Sequence, residues 1–95
     1  MDTEPELQTW AVTIDGTSAS APRADRILET LRHMQPVIAT RDHHYDVTLT
    51  IAADRPESAL LVARQGLKQA IPDLQVTNVE LVTAEERRRR LSTPA

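Results

Sequence analysis

The run Arg41-Asp42-His43-His44-Tyr45-Asp46 puts two imidazoles, two carboxylates, a guanidinium and a phenol within six residues. Imidazole and carboxylate together are donors for a zinc ion. A histidine beside a carboxylate is also a unit of acid–base catalysis, because the carboxylate raises the basicity of the ring. Geometry limits both readings. Adjacent side chains on a strand point to opposite faces, so His43 and His44 can share an ion only from an irregular loop. Further ligands would have to come from Asp42, Asp46 or His33. The HExxH spacing of helical zinc sites is absent. His44 and Asp46 stand two apart and share a face, but no nucleophile or oxyanion loop accompanies them. The segment reads best as a polar turn between two strands. No catalytic residue and no cofactor is assigned, and His43 and His44 stand as the candidate metal ligands.

A second charged cluster lies near the end of the sequence. Arg87, Arg88, Arg89 and Arg90 follow Glu85 and Glu86. Thr83 and Glu86 have capping-box spacing, and the acids precede the arginines as the helix dipole favours. Glu85–Arg89 and Glu86–Arg90 are spaced to pair one turn apart. The four arginines are candidates for contacting a partner. Charge elsewhere argues against nucleic acid as that partner. Residues 1–83 hold seven Lys/Arg against twelve Asp/Glu, and residues 84–95 hold four Arg against two Glu. An acidic body repels nucleic acid, so direct DNA binding is not expected of this chain alone.

Composition narrows the class further. There are 95 residues, enough for one small domain, and no cysteine. That excludes disulfides and thiolate chemistry, and it fits a reducing cytoplasm. The acidic opening MDTEPELQ is unlike a signal peptide, and no apolar run reaches the roughly 20 residues of a membrane span. With only Trp10 and Tyr45 as aromatics, the core must be aliphatic.

The elements that position these residues follow from periodicity. Residues 1–7 read as a flexible lead-in. Trp10, Val12 and Ile14 alternate with Ala11, Thr13 and Asp15, the pattern of a half-buried strand. Ser20 and Pro22 open a helix whose stripe is Ala24, Ile27, Leu28, Leu31 and Met34. Pro36 stops it and begins a short edge strand over 36–40. Tyr45, Val47, Leu49 and Ile51 alternate with Asp46, Thr48, Thr50 and Ala52. Asp54, Pro56 and Glu57 spell a second helix start, with Leu60, Ala63, Leu67, Ala70 and Ile71 as its stripe. Gly66 is an interior weakness. The last strand, 74–83, slips phase between Val76 and Val79, which predicts a bulge near Thr77 and Asn78. The order strand–helix–strand–strand–helix–strand predicts an α+β, ferredoxin-like plait over residues 8–83. Its antiparallel sheet has the order 4-1-3-2, with both helices on one face. Residues 84–95 read as a short helix or linker tail.

Two families with this topology make specific demands. RNA-recognition motifs stack bases on aromatics of the open sheet face. Trp10 and Tyr45 share the parity of the core residues, and the RNP signature is absent, so RNA is not expected. Acylphosphatases cradle phosphate in a loop after the first strand; DGTSASAPR resembles it only in Gly16 and Arg23. The open face, with Ala11, Thr13, Thr48, Thr50 and Ala52, is flat and weakly polar, a candidate for self-association.

The stretch VTNVELVTAEERRRRLSTPA, through Val79 to Leu81, Thr83, Glu85, Glu86, Arg89, Arg90, Leu91 and Pro94, resembles a junction in small bacterial helix-turn-helix regulators. There a plait-like N-terminal domain runs into the DNA-binding domain. The resemblance implies a dimerising regulatory module, here either part of a longer protein or a stand-alone relative. The expected function is therefore a non-enzymatic regulatory or interaction domain. It would self-associate through its open face or an edge strand and present its arginines to a protein partner or appended domain. A small-ligand-sensing plait is the alternative, and an enzyme using His43, His44 and Asp46 a further one.

Overall fold

Alternating apolar and polar residues build the two central strands. The structure is a computed structural model and describes residues 7–19 and 24–92. Strand β1 (Gln8–Thr17) pairs antiparallel with β3 (His44–Ala53), in unbroken register from Gln8 opposite Ala53 to Thr17 opposite His44. Strand β2 (Val37–Arg41) flanks β3, and β4 (Gln75–Thr83) flanks β1. The four-stranded sheet thus runs β2-β3-β1-β4, the same neighbours as 4-1-3-2 read from the opposite edge. Helix α1 (Ala24–Leu31) continues into a 3-10 turn (Arg32–Met34), and α2 (Pro56–Ala70) follows β3. A third helix, α3 (Ala84–Ser92), follows β4 without a break. The fold is α+β with three helices. Ser20 and Pro22, read as the first helix start, lie outside the described residues, as does most of the acidic lead-in.

One side of the sheet packs on α1 and α2. Val12, Ile14, Tyr45, Val47, Leu49 and Ile51 are buried there with Ile27 and Leu31 of α1 and Ala59, Ala63 and Leu67 of α2. Trp10 packs against the rim of this core and donates its indole N–H to the Ala53 carbonyl at 3.0 Å. Both aromatics therefore serve packing, as their parity requires. Small residues let α2 come close: a Cβ on Gly66 would lie 2.9 Å from Met34 Cε and 3.1 Å from Leu31 Cδ2. The glycine that weakens the helix locally is what admits α1 to it.

Two local expectations change, and the bulge expected near Thr77 and Asn78 is present. Leu28 is 41% exposed, so the buried stripe of α1 is narrower than its apolar pattern. The second helix is capped at Arg55, not Asp54, and without a side-chain hydrogen bond. Pro56 at the first helical position drives the residue before it into extended backbone, which fixes the boundary there. In β4 the register shifts: Asn78 faces Asp15 and Val76 faces Gly16, leaving Thr77 as the extra residue of a bulge. A Cβ on Gly16 would lie 2.6 Å from the Gln75 carbonyl oxygen, so only glycine fits beside the bulge.

The largest difference is α3. Read as a short helix or linker tail, it is a helix, and it folds back over the sheet face opposite α1 and α2. Thr83 accepts the Glu86 backbone N–H at 3.0 Å and starts the helix. Arg90 then reaches Glu80 of β4 at 2.7 Å.

Candidate functional site

The sheet face away from α1 and α2 carries nearly all the candidate chemistry. It has two ends of opposite character.

The hairpin between β2 and β3 forms the first end. Arg41 pairs with His44, leaving Asp42 and His43 as the turn. Asp42 has a φ of 56°, in the left-handed region that Asp tolerates better than most residues. His44 is the first residue of β3 and shares the parity of Asp46. His43 faces elsewhere: it lines a recess with Ser18 and Asp73, and its carbonyl accepts the Ser18 N–H at 2.9 Å. The two histidines thus diverge. His33 sits in the 3-10 turn after α1. Among the described residues no three His, Cys, Asp or Glu side chains come within reach of one ion.

The β1–β3 register puts Asp15 directly opposite Asp46. Both border an open cavity of about 560 Å³ with His44, Arg41 and Thr77. Asn78 donates to Asp15 Oδ2 at 3.5 Å, and the Thr77 hydroxyl donates to the Asp15 carbonyl at 3.3 Å. Partial desolvation raises the pKa of Asp46 above the usual carboxylate value. The charge of Asp15 and a hydrogen bond to it add to the rise, and Arg87 opposes it. His44 and Asp46 do share the face, as their spacing indicates, but they line a wide, solvent-open groove.

The arginine helix forms the second end. Ala84, Arg87, Arg88 and Leu91 fall at i, i+3, i+4 and i+7, and all four line a cavity of about 380 Å³ over Thr9, Ala11 and Thr50 of the sheet. The other arginines turn away. Arg89 pairs with Glu85 at 3.5 Å and Glu86 at 3.2 Å, and Arg90 pairs with Glu86 at 3.4 Å as well as Glu80. Both one-turn pairs implied by the spacing are present.

This docking changes the flat face expected to be bare. Ala11 retains 2% of its surface and Thr48 7%. Thr13 and Thr50 are half-buried, and the Thr13 and Thr48 hydroxyls share a hydrogen bond of 3.0 Å. Of the five interface candidates only Ala52 is fully exposed. For Ala11 and Thr50 the physical reason is that α3 already occupies that part of the face, while Thr48 is held against Thr13 across the strands.

Gln35 joins the second cavity unannounced by any local signal. It follows the 3-10 turn with φ 47° and ψ 59°, a left-handed conformation costly for glutamine. Asp15 was legible as a face-mate of Asp46; their direct opposition needs the strand register. No family model, curated protein or solved structure matches the chain.

Proposed function

We propose that this chain is a ferredoxin-like plait with an added third helix, acting as a non-enzymatic interaction domain that pairs edge to edge with a second copy through β4. The carrying observation is the contrast between the two sheet edges. Exposed strand edges present unpaired N–H and C=O groups, and proteins blunt them with short length, proline, charge or bulges. β2 has five residues, follows Pro36 and ends at Arg41. β4 has nine residues, and its one charged side chain, Glu80, is drawn into the ion pair with Arg90. Val76 and Val79 are 42% and 38% exposed along it. Among the described residues only the bulge at Thr77 guards this edge. An antiparallel self-pairing centred on Val79 places Asn78 opposite Glu80 and brings no like charges together.

The resemblance of 76–95 to a regulator junction extends this reading to the dimerising half of a regulator, with α3 as its connecting helix. Sedimentation equilibrium on the wild type and on Val79→Lys tests the pairing. A concentration-dependent dimer is expected, converting to monomer in the variant. A wild-type chain that stays monomeric into the high micromolar range overturns the proposal.

A further inference from the structure

We propose that the cavity between α3 and the sheet is a binding site for a small oxyanion, the phosphate or carboxylate group of a metabolite. The observation that carries it is the stripe of α3 that borders the cavity, in which Ala84 and Arg87 are half-buried and Arg88 and Leu91 are exposed at the mouth. A helix packing on a sheet presents apolar residues at i, i+3, i+4 and i+7. Here those positions read Ala84, Arg87, Arg88 and Leu91. The half-buried Arg87 stands where packing alone calls for Leu or Val, and Arg88 adds a second guanidinium at the rim.

Their charge is not balanced as that of their neighbours is. Glu80, Glu85 and Glu86 are engaged by Arg89 and Arg90, and Arg87 and Arg88 form no ion pair with any described residue. Arg87 is half-buried and feels the field of Asp46 without an ion pair to it. No carboxylate lines the cavity. A partly desolvated cation without a hydrogen-bonded anion is costly, so the site favours an anion from solution. Neutral donors complete it: the hydroxyls of Thr9 and Thr50 and the carboxamide of Gln35. Gln35 is also one of the two non-glycine residues with positive φ among the described residues. Backbone strain of that kind concentrates at ligand sites. Guanidinium forks match the paired oxygens of phosphate and carboxylate. The volume, about 380 Å³, suits a small molecule.

The test is an NMR titration of the full chain, following the arginine Nε–H signals and the amides of Ala11 and Thr50. Inorganic phosphate and succinate are the two probes, each against sodium chloride at equal ionic strength. Saturable shifts with one of them are expected, weakened about tenfold in Arg88→Gln. Arg88 is exposed, so this variant should keep its fold, which circular dichroism checks. Arg87→Gln should weaken binding at least as much. A stronger response to phosphate assigns a phosphorylated ligand; a stronger response to succinate assigns a carboxylate. If neither anion shifts these signals beyond chloride, or if both variants bind like the wild type, the site does not exist.

Discussion

Single residues in this protein hold conformations or charges that their surroundings must offset. Gln35 is one. With φ 47° it occupies a region that disfavours side chains bearing a Cβ. Gln35→Gly should therefore stabilise the fold by about 1 kcal/mol, read as a higher urea midpoint at unchanged slope. The same change should weaken anion binding, because it removes the carboxamide from the cavity. Asp46 is another, facing Asp15 across the strands. Its raised pKa means that the folded state holds the proton more tightly than the unfolded chain. Stability therefore falls as pH rises through the range between the ordinary carboxylate pKa and the raised one. Asp46→Asn should gain only a few tenths of a kcal/mol at neutral pH, because Asp46 is exposed and solvent screens its repulsion with the half-buried Asp15. The gain should vanish below the ordinary carboxylate pKa. Denaturation midpoints of both proteins across the acid range check this.

The helix α3 shows what elements can and cannot announce. Its start was legible, because Thr83 and Glu86 have capping spacing and the hydroxyl accepts the Glu86 N–H. Its internal pairs were legible too. Its docking was not, because a stripe of Ala84, Arg87, Arg88 and Leu91 carries no apolar signal to turn toward the sheet. The strands were the opposite case. Alternation in β1 and β3 gave their buried faces residue by residue, and the phase slip in β4 gave the bulge at Thr77. The candidate sites stayed hidden because each joins segments far apart in sequence. Asp15 meets Asp46 only through register, and Gln35 meets Arg88 only through the folding back of α3. Thr83→Ala should remove the cap, at a cost of about 1 kcal/mol. The expected readout is faster hydrogen exchange in α3 and at the Ala11 and Thr50 amides. Fraying confined to α3, with no change beneath it, would show that the helix does not cover them.

For the whole molecule, helix and edge are linked through Glu80. While Arg90 holds that carboxylate, β4 has no free charge to discourage a second copy. Releasing α3 restores a bare carboxylate to the edge, so conditions that loosen the helix should also favour the monomer. The dimer expected by sedimentation should then weaken in Arg90→Gln, which frees the carboxylate, and be restored when Glu80→Gln is added. No helix among the described residues is long and apolar enough to cross a membrane.

The position of β1 has a further consequence, in the order of events during synthesis. Of the four strands, the earliest in the chain is a central one, and its partners are β3 and β4. Asp15 must wait for Asp46 on one side and Asn78 on the other. Until residue 83 emerges, the nascent sheet is open along an interior strand whose side chains Val12 and Ile14 belong to the core. Pairings this distant in sequence form slowly, and unpaired interior strands are prone to wrong partners. The time of greatest exposure is therefore before β4 closes the sheet, and the growing chain, more than the finished fold, should be where this protein is most vulnerable to aggregation.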